Sequence, residues 1–544
     1  MAPNKGGASY TPFSVTELVT GQSGHYWTNL RNGPRPLLVR GDTIIYVHRQ
    51  LTTTLLHVHW SFDGGATWND VDSINAALGR TAWYPVAAGV TSDGNVVVIF
   101  PSSGSDEICA VEVSTTNIEG ACDASIPYGD YAHFAWQIGP DMFAIITNDT
   151  STYASNASFY YLTYDASTNT FSSPVVLKDG NLLVDFTFFE AHPFGDSVLV
   201  VGSSENATTW GEPGDWGYFW VRSDGTTRGS PDAAPIFDGY LSMYLVTVGA
   251  TAFIPNTYIN IQTHTALGPD GRVWVLYGAA DTAFMYPNWN TAAQSSHMIV
   301  VHNDTLESTD TLFFFYAANG SEVNLYKTVT WPIMLFGDSP NDMVIVWTQY
   351  DSTDAPACGA PPDEANLNFP SKLYFARTTD GGQTWCTDSL HIPGNFFSLP
   401  VAPNVNGFGN RLIGGDTVLL VYASPQDGVT DPFCHLMYAF NNWPPSAWPP
   451  VDLHVVKFPA ICSGDPTGDS VGILPVTSVA EKPVQKVGPV TVEVLKGGVK
   501  TSGPANIYDI KGSLVASTDG GFVSLKSGIY FVKAGNRVSK VVIK

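Results

Sequence analysis

The chain has 544 residues, including 51 glycines and 37 prolines, and its 25 basic side chains are outnumbered by 49 acidic ones, for a formal net charge of −24. This length exceeds the roughly 250–300 residues at which one hydrophobic core stops growing, which excludes a simple single-core domain. The acidic balance disfavours nucleic acid as a partner, because like charges repel a phosphate backbone. The sequence contains no run of about 18 apolar residues, so it predicts no membrane span.

One pattern recurs along the chain: a turn with Gly, Asp or Asn, followed by a continuous run of β-branched and apolar residues. Such runs predict strands that are buried on both faces. Seven copies occur, at 41–49, 93–100, 139–147, 195–203, 270–278, 341–349 and 415–423. Their spacing suits the blades of a propeller. We therefore predict an all-β fold with a β-propeller over residues 1–475, seven blades being favoured over six or eight.

A second apolar strand follows each copy and ends in a polar turn. These second strands are predicted at 54–61, 107–114, 158–165, 216–223, 296–303, 372–379 and 434–441. Two of the turns repeat the same residue types at the same offsets: Ser61, Asp63, Gly65, Thr67 and Trp68, and then Thr378, Asp380, Gly382, Thr384 and Trp385. The Asp carboxylate of such a turn can accept bonds from its own backbone N–H groups, and glycine adopts the positive φ that other residues avoid.

Both turns resemble the Asp-box, or BNR repeat, of sialidase-type propellers. In that family the box joins the third and fourth strands of a blade, on the face opposite the active site. A sialidase also needs three arginines and an Asp acid/base. The stretch 33–37 keeps Arg35 but loses the family's spacing, and residues 49–60 contain no carboxylate. Without an acid to protonate the leaving group, no catalytic residue is assigned. A non-catalytic propeller is preferred, and an exo-acting glycoside hydrolase of sialidase-like fold is the alternative.

Long insertions follow the buried strands of the fourth to sixth copies, at 203–215, 279–295 and 350–370. In a propeller these loops emerge opposite the Asp-box turns, where aromatic rings beside carboxylates suit a sugar. The candidate ligand-binding residues are Trp210, Glu212, Asp281, Tyr286, Trp289, Asp351 and Asp354. The competing interpretation is that the aromatic side chains only pack the loops down.

Metal and cofactor signals are weak. His57 and His59 alternate on one predicted strand and share a face, where packed or solvated histidines are more common than metal ligands. The acidic stretch 465–469 can supply oxygen ligands for a structural calcium ion, although it lacks a recognisable loop pattern. No cofactor and no metal site is assigned on this basis.

Six cysteines form three sequence-local candidate pairs: Cys109 with Cys122, Cys358 with Cys386, and Cys434 with Cys462. An even number in an acidic, turn-rich chain favours disulfides and an oxidising compartment, although sequence leaves their connectivity open. The first ten residues lack an apolar signal core, so any export signal is expected to have been removed.

The character of the chain changes near its C-terminus. Residues 476–488 read as a linker, and residues 489–544 alternate short strands with glycine turns. The elements 507–512 and 527–532 and the lysine-rich last strand resemble the C-terminal sorting domain of type IX secretion cargo. That resemblance implies a small Ig-like β-sandwich and a secreted or outer-surface protein. Residues 481–544 carry a net charge of +6 against −30 for residues 1–480, so head-to-tail self-association is expected alongside a glycan or protein partner.

Overall fold

The computed structural model describes part of the chain. The chain divides into two compact units, Met1–Val479 and Ala480–Lys544. Apart from one short 3₁₀-helix, η1 (Ile74–Leu78), the described elements are β-strands, so the predicted all-β class is confirmed. No helix in this part of the chain is long and apolar enough to cross a membrane. The described residues are 14–23, 36–50, 54–102, 104–149, 158–178, 189–204, 215–227, 239–241, 245–248, 251–256, 263–281, 298–304, 312–319, 322–323, 329–350, 371–382, 384–390, 404–405, 408–425, 450–462, 471–475, 479–480, 492–495, 498–501, 505–509, 514–518, 521–534 and 537–543.

In its described residues the first unit contains seven sheets in succession, whose consecutive strands pair antiparallel and which we number as blades 1 to 7. An N-terminal strand and the strands of blades 1 to 4 come first: β1 (Ser14–Ser23); β2 (Leu37–Arg40), β3 (Thr43–Arg49), β4 (Leu56–Ser61) and β5 (Asn69–Val71); β6 (Val86–Val90), β7 (Val96–Ser102), β8 (Glu107–Val113) and β9 (Ile118–Asp123); β10 (Tyr128–Gln137), β11 (Met142–Asp149), β12 (Phe159–Asp165), β13 (Thr170–Phe171) and β14 (Val175–Lys178); β15 (Phe189–Phe194), β16 (Ser197–Ser204), β17 (Asp215–Arg222) and β18 (Gly239–Leu241).

Two strands precede blade 5, and a short hairpin separates blade 6 from blade 7. In chain order these elements are β19 (Leu245–Val248) and β20 (Thr251–Asn256); blade 5 with β21 (Thr263–Leu267), β22 (Val273–Asp281), β23 (Met298–Asp304) and β24 (Leu312–Asn319), extended by β25 (Glu322–Val323); blade 6 with β26 (Val329–Phe336), β27 (Met343–Tyr350), β28 (Ser371–Thr378) and β29 (Cys386–Leu390); the hairpin β30 (Asn404–Val405) and β31 (Phe408–Gly409); blade 7 with β32 (Thr417–Pro425) and β33 (Pro450–Pro459); and finally β34 (Val471–Pro475) and β35 (Val479–Ala480).

The seven apolar runs found in the sequence coincide with one strand in each blade, namely β3, β7, β11, β16, β22, β27 and β32. In the sheets of blades 2, 4 and 6 this strand lies between the first and third strands. Neighbouring blades cover both of its faces, which is why β7 is buried at all seven positions. A strand in this environment has no solvent face and therefore shows no polar alternation.

Apolar cores between adjacent blades join the sheets into a ring. Such cores lie between blades 1 and 2, 2 and 3, 3 and 4, 5 and 6, 6 and 7, and 7 and 1. Blades 4 and 5 meet through their first strands, β15 and β21. The sequence of contacts therefore returns to its start, and the predicted β-propeller is confirmed.

The ring closes through a strand that the sequence did not reveal. β1 pairs antiparallel with β33, so the N-terminal strand is the outer strand of blade 7. Its Leu18 packs against the core between blades 7 and 1. The strand that pairs with β32 is β33, whereas the predicted second strand at 434–441 lies outside the described residues.

Two disulfides are present in the described residues, and two of the three predicted pairings are wrong. Cys109 and Cys122 are directly opposite each other on β8 and β9, as predicted. Cys386 bonds to Cys462 and not to Cys358, which also excludes the predicted pairing of Cys434 with Cys462. The reason is that the core between blades 6 and 7 brings the start of β29 close to the chain after β33. Cys358 and Cys434 lie outside the described residues.

In its described residues the second unit contains seven strands in two antiparallel sheets. One sheet has the order β36-β37-β40 and the other β39-β38-β41-β42, with these bounds: β36 (Val492–Leu495), β37 (Gly498–Thr501), β38 (Ala505–Asp509), β39 (Leu514–Thr518), β40 (Gly521–Ser524), β41 (Gly528–Ala534) and β42 (Arg537–Ile543). Val499, Ile507, Leu525 and Val532 form one buried core with residues from both sheets. The Ig-like topology stays a prediction.

Candidate functional site

The first strands of successive blades converge on the axis of the ring. β2, β6, β10, β15, β21 and β26 contact one another in that order. The β30–β31 hairpin lies among them: β30 pairs in parallel with β2 of blade 1, and β31 contacts β15 of blade 4. Blade 4 is three blades away from blade 1, so a hairpin that contacts both spans the axial region.

Five polar side chains meet where this hairpin contacts blades 4 and 5. We call them the axial cluster: Glu190 and His192 of β15, His264 and Thr265 of β21, and Asn410, directly after β31. Glu190 is 6% exposed and the other four are at most 1% exposed. A buried polar group is costly unless it is hydrogen-bonded, so their bonds decide what the cluster can do.

The Glu190 carboxylate accepts hydrogen bonds on both oxygens. Oε1 faces His264 Nδ1 at 2.9 Å, and Oε2 accepts the Thr265 backbone N–H at 2.6 Å together with the Thr265 hydroxyl. His192 Nε2 lies 2.7 Å from Thr265 Oγ1. Because the Thr265 hydroxyl hydrogen points to Glu190, its oxygen accepts from His192. The cluster thus forms a directed chain of bonds that ends on the carboxylate.

Asn410 determines which nitrogen of His264 carries the proton. Its Nδ2 lies 3.2 Å from the Thr265 carbonyl oxygen and 3.0 Å from His264 Nε2. A flipped amide would place two acceptor oxygens together, so the amide group donates to both neighbours. Nε2 of His264 is therefore an acceptor, and its ring hydrogen is on Nδ1, directed at Glu190.

This arrangement keeps Glu190 ionised. Burial alone would raise the pKa of Glu190, but the imidazoles of His264 and His192 outweigh it and hold that pKa well below its ordinary value. A carboxyl group of this kind carries no proton to donate near neutral pH. As a base or nucleophile it is both covered and already bonded. Glu190 therefore links blades 4 and 5 by hydrogen bonds and does not act as an acid–base group.

The two Asp-Gly-Gly turns have matching geometry. In blade 1, the Asp63 carboxylate accepts the backbone N–H and the hydroxyl of Thr67 at 2.8 and 2.6 Å. In blade 6, Asp380 accepts the same two groups of Thr384 at 2.9 and 2.6 Å. The backbone N–H of each second glycine also donates to the hydroxyl oxygen at the first position, Gly65 to Ser61 Oγ at 2.8 Å and Gly382 to Thr378 Oγ1 at 2.9 Å.

The tryptophan that ends each turn fixes it to the blade. Indole Nε1 of Trp68 donates to the Gly65 carbonyl at 3.1 Å, and Trp385 donates to Gly382 at the same distance. Both second glycines, Gly65 and Gly382, have φ near +90°, which a side chain would strain. These contacts give the hydroxyl, aspartate, second glycine, threonine and tryptophan of each turn a structural role, while the assignment of the turns to the Asp-box family stays a prediction.

The predicted ligand-binding residues are almost all outside the described part of the chain. Asp281 is the last residue of β22, where its backbone pairs with Phe253 of β20. The other six lie in undescribed segments: Trp210, Glu212, Tyr286, Trp289, Asp351 and Asp354. The acidic stretch 465–469 also lies outside the described residues. The structure therefore leaves these residues as predictions.

Within the described residues, one group has metal-ligand proximity: Glu107 with Cys109 and Cys122. Both sulfurs are consumed by the Cys109–Cys122 disulfide, and Glu107 forms an ion pair with Arg80. This group is therefore better described as a crosslink beside an ion pair than as a metal site.

No protein-family model and no curated protein matches the chain. Among solved structures, YCF48 bound to a D1 peptide matches with 12% identity over 83% of this chain and 96% of that one, at a TM-score of 0.37. A mutant of Synechocystis apocarotenoid oxygenase matches with 12% identity over 67% and 73%, at 0.34. The Dos1 propeller matches with 13% identity over 57% and 64%, at 0.29. The neighbours include propellers.

Sequence reasoning missed the axial cluster. The pair Glu190 and His192 alternates on a short strand, and His264 precedes Thr265 on another. The available signal was Glu190 itself, a charged residue on a strand directly before an apolar run that was predicted to be buried. It did not identify partners, since 74 residues separate Glu190 from His264.

Proposed function

We propose that this chain is a non-catalytic β-propeller that binds a glycan or a protein outside the cell. The observation that carries the proposal is the occupied axis. An exo-acting glycoside hydrolase needs two accessible carboxyl groups roughly 5–10 Å apart. Among the described side chains of the first strands, the carboxylate is Glu190, which is buried and bonded on both oxygens. The β30–β31 hairpin lies beside it.

Two further features support an extracellular setting. The described disulfides, Cys109–Cys122 and Cys386–Cys462, are typical of proteins from oxidising compartments. The resemblance of residues 489–544 to a type IX sorting domain supports export and attachment at the outer surface. The resemblance of the two aspartate turns to Asp-boxes supports a scaffold from the sialidase-like propellers without their chemistry.

We place the ligand on the insertions that follow the second strands of blades 4 to 6. These segments start where β16, β22 and β27 end, which is the end of each blade opposite the aspartate turns. Trp210 and Trp289 are the expected stacking platforms for a sugar ring. Carboxylates in the same insertions are expected to bind its hydroxyl groups.

A glycan array followed by calorimetric titration tests this assignment. The double variant Trp210→Ala/Trp289→Ala should lose at least tenfold in affinity for a glycan that the wild type binds. Phe62→Ala is the matched control, because Phe62 is a half-exposed aromatic side chain at the opposite end of a blade and should bind like the wild type. Equal affinities for all three proteins would refute the assignment of the ligand to this surface.

The enzymatic alternative makes a different prediction. A panel of chromogenic exo-glycosidase substrates should show no turnover above the uncatalysed rate if the proposal is right. Hydrolysis that disappears in Glu212→Gln or Asp354→Asn, with binding retained, would replace the proposed function by a glycoside hydrolase.

Self-association through the C-terminal unit is the second part of the proposal. Residues 481–544 carry +6 and residues 1–480 carry −30, so a basic unit of one copy is attracted to the acidic ring of the next. A head-to-tail contact of this kind propagates unless it closes. Mass photometry should show oligomers at low salt that disappear at high salt and on removal of residues 480–544. An intact protein that is always monomeric contradicts this part alone.

A further inference from the structure

Three buried histidines lie in the contact between blade 1 and blade 7. His48 is on β3, and His57 and His59 are on β4; they are 0%, 7% and 5% exposed. By strand alternation they share a face with Ile44 and Tyr46, which pack against Leu419, Val421, Leu453 and Val455 of blade 7. We call His48, His57 and His59 the seam cluster, because the ring closes at this contact.

The three imidazole rings are stacked. His48 lies between the other two, with ring centroids 5.1 Å from both His57 and His59 and interplanar angles of 13° and 5°. Nε2 of His48 and Nε2 of His59 are 3.0 Å apart. A single hydrogen between the two nitrogens makes this contact favourable, whereas protonation of both rings would place opposing N–H groups and two positive charges within that distance.

His57 connects the cluster to the surface. Its Nδ1 lies 2.5 Å from Asp72, whose side chain is 65% exposed. Asp72 is thus the acceptor for a hydrogen on His57 Nδ1. The other nitrogen, Nε2 of His57, has no hydrogen-bond partner in the described part of the chain, and the same holds for the Tyr46 hydroxyl. A proton added at Nε2 therefore creates a buried donor without an acceptor.

The surroundings offer little compensation for further charge. The groups on the side of the cluster are Asp70 and Asp72 at the end of blade 1, Tyr46 beside the rings of His48 and His59, the half-buried Lys457 of β33, and Thr16 and Leu18 of β1. The remainder is the apolar surface of blade 7. Burial, and then the neighbouring His57, lowers the pKa of His59 to about 4, with Asp72 acting in the opposite direction.

We propose that the seam cluster makes the closure of the propeller acid-sensitive, so that proton uptake by these histidines opens the contact between blades 7 and 1. The closed propeller disfavours protonation of the seam cluster. The opened seam exposes the imidazoles to water, where histidine has a pKa near 6.5. The element released first is β1, because β33 is its one pairing partner among the described strands and its Leu18 packs against the seam itself.

The sign of the effect follows from this difference. Since the pKa of His59 is lowered in the closed ring, the stabilisation is complete above about pH 6.5 and is lost as the pH falls toward 4. Each proton taken up on opening raises the opening constant by up to about tenfold per pH unit. Uptake by His59 alone therefore predicts an increase on the order of 100-fold across this range.

Hydrogen–deuterium exchange of the intact protein between pH 7 and 4, corrected for intrinsic exchange rates, tests the proposal. Peptides that cover β1, β3, β4 and β33 should open first, while those of blade 3 stay protected. His59→Gln and, should that variant fold poorly, His57→Gln should reduce the pH dependence of the seam peptides at least tenfold. The matched control is His454→Gln, because His454 stacks on Tyr422 within blade 7, on its blade 6 side.

Each outcome is decisive. Selective opening of the seam that depends on His59 or His57 but not on His454 supports the proposal. Uniform opening of all blades, opening that begins elsewhere in the ring, or an unchanged pH dependence in both seam variants would overturn it. The wild-type measurement alone is sufficient to refute the idea, because it needs no substituted protein to fold.

Discussion

Glu190→Gln is a sharp test of the axial cluster, because it keeps the size of the side chain and changes only its charge and one acceptor. Three donors point at the carboxylate: Nδ1–H of His264 and the backbone N–H and hydroxyl of Thr265. A glutamine has one oxygen, so its amide N–H₂ must face at least one of them. His264 cannot relieve the conflict by moving its proton to Nε2, since the Asn410 amide donates there.

The cost can be estimated from this geometry. A buried donor without an acceptor costs about 1–3 kcal/mol, and the loss of charge-assisted bonds adds a similar amount, so about 3 kcal/mol is expected in total. Unfolding entropy is about 2.1 cal/mol/K per residue, which for the unit Met1–Val479 amounts to about 1 kcal/mol/K. The thermal midpoint should therefore fall by about 3 °C.

Differential scanning fluorimetry on tryptophan emission measures this shift. The matched control is Glu119→Gln, because Glu119 is an exposed carboxylate, and it should move the midpoint by less than about 0.5 °C. Thr265→Val should also destabilise the protein, and the double variant should cost less than the sum of the two. The reasoning is refuted if Glu190→Gln shifts the midpoint no more than the surface control, or if the two effects simply add.

Three further predictions concern one disulfide, one turn and one terminal strand. Replacing Cys386 and Cys462 by serine removes a crosslink over 76 residues; the loop-entropy estimate is about 4 kcal/mol, visible as a lower thermal midpoint, and non-reducing peptide mapping should recover this bond from the wild type. Asp63→Asn removes the negative charge and one of the two oxygens that accept from Thr67, whose bonds lower the pKa of Asp63 to about 2; that stabilisation is complete above about pH 4 and lost toward pH 2, so thermal scans of the variant should vary less with pH across this window. Deleting residues 14–23 removes the partner of β33, and hydrogen exchange should rise in β33 before blade 3; unchanged protection there would contradict closure by β1.

Local signals predicted a large part of the fold. A strand covered on both faces is apolar along its whole length, so the second strand of every blade could be recognised without knowing its neighbours. The aspartate turns could be recognised as well, because all their bonds fall within five residues, as between Asp63 and Thr67. Cys109 and Cys122 belong to the same class, since a hairpin brings them together.

Contacts between distant segments could not be predicted in this way. Leu18 of β1 and Leu453 of β33 pack in one core, yet over 400 residues separate them and neither strand carries a signal for the other. The same holds for Cys386 with Cys462, and for Glu190 with His264 and Asn410. Their partners are set by the closing of the ring, a property of the whole chain.

The amino-acid sequence by itself determined the all-β class, the repeated blade strand and the two aspartate turns, because each depends on residues that are neighbours along the chain. Only the tertiary structure decided how the ring closes, that a hairpin spans its axis, and which histidines are buried at the seam. The physical reason is that burial and hydrogen bonding are decided by whatever the folded chain brings within a few ångströms. For this ring, the decisive neighbours come from opposite ends of the sequence.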